Sequence, residues 1–160
     1  MGTIQEKNAY DQKLLEWWKE LEENKGDRAN LRRCATPLET TFLPASYKLL
    51  SKLQTCSSNW NRDKICAIAG ILSHVREDTS EDFAKKLSQK KPGSDQALFS
   101  DLRFRKLLQY SNIAEDELFY QNMIRAIHIL EFKVNICELF NSLYFWGDRV
   151  KKDWAHKYYA

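Results

Sequence analysis

Apolar positions along the chain recur at helical spacing. Tyr10, Leu14, Trp17, Trp18 and Leu21 lie three and four residues apart and predict a helix over about 9–23. Gly26 is expected to end it, with Asp27 capping a short segment from Arg28 to Cys34. Pro37 and Pro44 punctuate the next stretch, and Leu49, Leu50 and Leu53 then face inward from a helix running from Ala45 to Leu53. Asn61 or Asp63 opens a strongly apolar helix carrying Ile65, Ile68, Ala69, Leu72 and Val75. Thr79 is expected to cap a short amphipathic helix with Phe83 and Leu87 inward and Asp82 in its first turn.

The run from Gln89 to Asp95 has two lysines, Pro-Gly and a polar end, and reads as a linker. It divides the chain into an N-terminal helical domain, 1–90, and a C-terminal helical bundle, 95–160. Beyond it Asp95 is expected to cap a helix through Leu98, Leu102 and Leu108. Phe119, Met123, Ile127, Leu130 and Val134 form a stripe on one long helix, and Ile136, Leu139, Phe140 and Leu143 form another. Gly147 breaks the chain before a terminal helix anchored by Val150, Trp154 and Tyr158. No strand-like alternation emerges, so the expected fold is all-α, as two small helical bundles joined by a short linker.

Composition sharpens that picture. Gly 5 and Pro 3 make 8 of 160 residues, about 5% where roughly 12% is usual. A β-sandwich needs such residues at its many turns and is disfavoured. No apolar run reaches the roughly 18 residues of a membrane span. The N-terminal residues lack a basic segment followed by an apolar one, so no secretory signal is expected, and the expected location is cytoplasmic. Cys34, Cys56, Cys66 and Cys137 are widely spaced and read as reduced thiols, mostly buried, with no zinc-binding pattern. His74, His128 and His156 are isolated, and no nucleophile elbow, phosphate loop or dinucleotide loop is present. The expectation is a protein that is not an enzyme and has no cofactor, metal or catalytic residue.

Charge is small in total, +3, but segregated. Residues 16–23 carry four Glu and one Lys, and Glu115, Asp116 and Glu117 cluster again. Lys25 to Arg33 carries four bases and one acid, Arg103, Arg105 and Lys106 have no acid among them, and Arg149 to Lys157 is net +3. Such segregation can steer a polyanion while the total stays low. At 100° per residue, Arg149, Lys152 and His156 form a ridge opposite Val150, Trp154 and Tyr158; a solvated face is the plainer reading of that ridge. Arg28 and Arg32 share a face, with Arg33 about 100° away. At least one of these three is expected to pair with Asp27 or the acidic end of the first helix and hold the turn. Trp60, Tyr110, Tyr158 and Tyr159 could stack on unpaired bases, but core packing is the commoner use of helical aromatics.

The stretch from Trp17 to Arg33, WWKELEENKGDRANLRR, with the Pro-aromatic segment from Leu43 to Leu49, resembles the N-terminal signature of the CasB family. That family is the small subunit of the type I-E CRISPR surveillance complex, Cascade. The second half is also similar, through Arg103-Phe104-Arg105-Lys106-Leu107-Leu108, a later arginine-bearing helix at Arg125, and Trp146 followed by a basic terminal helix. The resemblance spans nearly the whole chain in order.

It implies a non-catalytic subunit, two copies of which pack head to tail against the CRISPR backbone and large subunits. It also implies contact with guide RNA and target DNA, stabilising the opened target and displaced strands of the R-loop. Matched to this sequence, Arg33 closes the G-D-R-A-x-L-R-R motif, with Arg32 beside it. Arg103, Arg125 and Arg149 match basic positions of the second half, Arg62 matches one near the middle of the first, and Lys152 joins them on the terminal ridge. Asp148 departs from the family pattern, where a basic residue is expected; Lys151 and Lys152 could compensate. The alternative is a helical scaffolding or interaction protein whose patches meet acidic protein surfaces without nucleic-acid contact.

Overall fold

A computed structural model describes residues 4–160, within which the chain forms ten helices and one pair of two-residue strands. Helices α1 (Ile4–Glu23), α2 (Lys25–Arg32), α3 (Pro37–Thr40), α4 (Pro44–Gln54) and α5 (Arg62–Leu72) come first. Strand β1 (Glu77–Asp78) and helix α6 (Phe83–Ser88) follow. After them come α7 (Asp101–Leu107), α8 (Glu117–Ile129), strand β2 (Lys133–Val134), α9 (Ile136–Tyr144) and α10 (Asp148–Tyr159). The fold is all-α in class, as the scarcity of breakers predicts.

Helix boundaries follow local capping chemistry, and here several expectations are corrected. Asn24 divides the first two helices: its side chain accepts a hydrogen bond from the Asp27 N–H at 3.1 Å, and Gly26 lies inside α2. Asn is as good a cap as Asp, so the second helix begins before the glycine expected to stop the first. Asn61 caps α5 by accepting from the Lys64 N–H at 3.0 Å. Asp82, not Thr79, holds the cap position of α6, and Glu138 of α9 accepts from the Phe83 N–H at 2.6 Å. Ser100, not Asp95, caps α7. That later start turns Phe104 and Leu107 inward and leaves Leu102 72% exposed.

The stripe from Phe119 to Val134 is buried throughout, but α8 ends at Ile129. Glu131 and Phe132 take positive φ values of 58° and 65°, and Val134 reaches the core from β2. β1 and β2 pair in parallel, Glu77 opposite Lys133 and Asp78 opposite Val134. Two residues per strand are too few for a period-2 pattern to register, which is why none is visible in the sequence. The polar run from 89 to 95 is an exposed turn, with the Lys91 N–H donating to the Gln96 carbonyl at 2.8 Å and Gly93 at φ 72°.

Helix α5 lies at the centre. Every residue from Ile65 to Leu72 is buried, and the helix packs on α2, α3, α4, α8 and α9. Helices from both sides of the 89–95 turn contribute to one contiguous apolar cluster. Gly70 permits the closest approach: a Cβ there would stand 2.6 Å from Thr40 Cγ2 and collide with the Tyr120 hydroxyl. Trp60 is also spent on packing; its Nε1 donates to the Leu53 carbonyl at 2.9 Å, and its ring meets Tyr10 and Tyr144 edge-on.

The C-terminal end of α5 is sealed by side chains. Arg28 donates from Nε to the Ser73 carbonyl at 3.2 Å and from Nη2 to the Val75 carbonyl at 3.1 Å. Trp18 Nε1 also donates to Val75, at 3.3 Å. Between those carbonyls stands His74, whose Nδ1 lies 3.3 Å from Nε2 of His128. His74 Nε2 is buried and has no partner among the described residues. Protonation there would create a buried, unpartnered donor beside cations. Burial first, then His128, Arg32 and Arg28, pushes the His74 imidazole down to about 4.

Two stability predictions result. Gly70→Ala overpacks α5 against Thr40 and Tyr120 and is expected to cost about 1–3 kcal/mol, read as a lower urea midpoint at unchanged slope. For His74 the folded value lies below the ordinary 6.5, so on acidification the unfolded chain takes up the proton first. Its contribution is full above about pH 6.5 and is lost as pH falls towards 4, by up to about 3 kcal/mol. Urea denaturation at pH 7 and pH 4.5 is expected to show a smaller difference for His74→Asn than for the unaltered chain.

Candidate nucleic-acid interface

Helix α7 buries Phe104 and Leu107, three residues apart, so Arg103 and Lys106 share an outer face at the same spacing. The acid at the start of this helix is already engaged: Arg105 Nε lies 3.2 Å from the Asp101 carboxylate, which also accepts from the Tyr159 hydroxyl. Helix α8 buries Phe119, Met123, Ala126 and Ile127. Leu118, Asn122, Arg125 and Ile129 follow one another by four, three and four residues along another face, with His128 beside them. The two outer faces enclose a groove of about 610 Å³. Among the described residues its basic lining is Arg103, Lys106, Arg125 and His128, with no carboxylate.

The end of α2 adjoins this groove. Burial, followed by the positive charges of Arg32 and Arg76, holds His128 below the ordinary imidazole value, so both arginines act on a residue of the groove. Arg76 lies over the Phe132 ring at 4.4 Å. Arg33 is the C-cap of α2, exposed, and donates to Asn30 Oδ1. Gln121 Nε2 donates to the Ala35 carbonyl at 3.2 Å, tying the chain just after Arg33 to α8 one turn before Arg125. Arg28 is the structural member of the first basic cluster, but its partners are carbonyls. Asp27 is instead taken by Lys48 at 2.8 Å.

The remaining expected residues lie elsewhere. Arg62 is exposed, its Nε 3.1 Å from Asp63, and it lines a groove of about 500 Å³ beside Leu38, Phe42 and Tyr47. Arg149 lines a third groove, about 440 Å³, with Lys7 and Tyr10 of α1 and Asn141 of α9. Asp153, in the same groove, pairs with Lys157 at 2.9 Å. Arg149, Lys152 and His156 are exposed while Trp154 and Tyr158 are buried, so the outward ridge is where helical spacing puts it. Lys151 is half-buried with Nζ 6.0 Å from the Trp146 ring centroid, which leaves Lys152 as the free lysine. Asp148, the departure from the family pattern, sits in the first turn of α10, where a carboxylate complements the exposed N–H groups.

Among the described residues, Arg62 alone of the seven candidates has a carboxylate within ion-pair distance. Arg32, Arg33, Arg103, Arg125, Arg149 and Lys152 are exposed cations with none. Sequence reasoning placed Lys106 in a basic cluster without naming it among the site residues, and did not assign His128 or Arg76 to the site. The first two were visible as i, i+3 partners of Arg103 and Arg125; Arg76 joins only through the tertiary fold. Among the described residues no group of three or more His, Cys, Asp or Glu could hold a metal. No described helix is long and apolar enough to cross a membrane.

A family model described as CRISPR-associated protein Cse2 matches residues 27–159. No curated protein and no solved structure matches significantly.

The division between structural and free arginines is testable by denaturation. Arg28→Ala leaves the Ser73 carbonyl without its side-chain donor and the Val75 carbonyl with Trp18 alone, and is expected to cost about 1–3 kcal/mol. Arg33→Ala, at an exposed site, is expected to change stability by no more than about 0.5 kcal/mol.

Proposed function

Because the chain belongs to the CRISPR-associated Cse2 family, the family of the CasB small subunit of type I-E Cascade, we propose that it is a non-catalytic Cascade subunit that holds nucleic-acid backbone. The observation that carries this reading is the set of exposed, unpaired cations converging on the α7–α8 groove, whose lining contains no carboxylate. In an RNA-guided complex, base pairing reads the sequence, so a subunit beside the duplex need only hold phosphates. Arginine suits that task through its planar, forked donors. Separate patches at Arg32 and Arg33, at Arg103 and Arg125, and at Arg149 and Lys152 form a backbone track without base readout.

In this reading the ligands are guide RNA and the target and displaced DNA strands of the R-loop. Two copies pack head to tail against the backbone and large subunits. Arg62 serves the bridging half of the role rather than the nucleic-acid half. Its charge is tied to Asp63, and Leu38 and Phe42 beside it are 64% and 71% exposed, a composition suited to protein contact. That apolar patch also favours the alternative of a helical scaffold without nucleic-acid contact. Competition separates the two, since a scaffold keeps its protein partner when single-stranded DNA is added.

Two measurements test the proposal. Binding of single-stranded DNA by the isolated chain is expected to be weak and independent of sequence. With about four phosphates engaged, the slope of log K against log salt is expected near −3, and Arg103→Ala with Arg125→Ala should flatten it by about 1.4. A slope near zero contradicts the backbone track. In the assembled complex, Arg33→Ala with Arg149→Ala is expected to weaken target-DNA binding and leave assembly intact. Loss of assembly would make these two arginines interface residues.

A further inference from the structure

A groove that only tracked phosphates would need cations and nothing else. The groove between α7 and α8 has a second component. Phe99, Tyr110, Leu118 and Ile129 also line it, Leu118 and Ile129 on the same face of α8 as Arg125. Phe99 is buried, Tyr110 and Ile129 are half-buried, and Leu118 is 56% exposed on the first turn of α8. Tyr110 is held firmly. Its ring stacks on Phe119 at 5.2 Å and 18°, and its hydroxyl accepts from Asn122 Nδ2 at 2.8 Å. The result is a groove of about 610 Å³ lined by an anchored aromatic ring and aliphatic side chains together with Arg103, Lys106 and Arg125. That volume lies within the ~300–1,000 Å³ range of clefts that take up small organic groups.

A ligand matching both components is an anion with a flat apolar body attached. A nucleotide whose base has left the stack has that form, and single-strand binders gain affinity from such base contacts. We infer that the α7–α8 groove seats one unpaired base of a single strand against Tyr110 and Leu118, with the flanking phosphates on Arg103 and Arg125. This rests on the backbone-binding reading above and adds a base-accepting pocket to it. Leu118 and Ile129 offer no side-chain hydrogen-bonding groups, so their contacts do not discriminate between bases.

The test uses the full chain and two oligomers of about eight units. One is oligodeoxythymidine. The other has the same number of phosphates with a base-free sugar at every position. The expected result is at least about fivefold weaker binding of the base-free chain. Leu118→Asn, an exposed position, is expected to narrow that gap without changing affinity for the base-free chain. Tyr110→Leu should narrow it further. Equal affinity for the two oligomers would overturn the base pocket and leave the phosphate track standing. Failure of both to bind would remove the backbone reading, and the pocket with it. A third arm adds an acidic, leucine-containing peptide. If it displaces oligodeoxythymidine at concentrations below those at which the oligomer itself binds, the groove is a peptide site and the inference is wrong.

Discussion

A buried helix cannot send the carbonyls that follow its last turn to water, and α5, buried from Ile65 to Leu72, is such a helix. Its exit is closed by Arg28 and Trp18, which donate to the Ser73 and Val75 carbonyls. Most of the architecture depends on that closure. Trp18 brings in α1 and Arg28 brings in α2, so the two N-terminal helices are fixed to the centre by polar bonds as well as by packing. The chain leaves the sealed end through His74 into β1, whose pairing with β2 sets where α8 finishes. Arg28 turns inward to make these bonds, whereas Arg32 and Arg33 stay exposed at the end of α2.

The same division between engaged and free charge runs through the molecule, whose net charge is only +3. Glu16 and Glu20 of α1 meet Lys52 of α4. Asp27 takes Lys48, Asp101 takes Arg105, and Asp153 takes Lys157. Asp116 accepts from the backbone N–H groups of Ser111 and Asn112. These acids are used up locally, and bases without such a partner among the described residues, Arg32, Arg103, Lys106, Arg125, Arg149 and Lys152 among them, remain on the α2, α7, α8 and α10 surfaces. A surface of that kind attracts phosphates without making the whole chain a general polyanion binder, which suits a subunit with protein neighbours on other faces.

The sequence made much of this legible, and the residues show why. Long stripes such as Phe119 to Ile127 and Ile136 to Leu143 determine helices because their spacing is redundant. Caps were harder to read. Asn24, Asp82 and Ser100 hold the cap positions for which Asp27, Thr79 and Asp95 were the expected residues, since any short polar side chain can cap and only the tertiary fold selects one. The strand pair was invisible because two residues carry no period. In the site, Arg103 and Arg125 were read from separate parts of the sequence, and the fold set them in one groove. Their neighbours Lys106 and His128 were latent in the helical spacing. Arg62 looked like the others in sequence; its pairing with Asp63 distinguishes it only in three dimensions.

The central claim is that unpaired arginines at the α7–α8 groove meet phosphates while their paired neighbours do not. It is tested most directly by following the individual guanidinium Nε–H signals by NMR as single-stranded DNA is added. Arg103 and Arg125 are expected to shift together and saturate at the same concentration, with Arg62 and Arg105, held by Asp63 and Asp101, nearly unmoved. Equal movement of all four, or movement confined to Arg62 and Arg105, would contradict it.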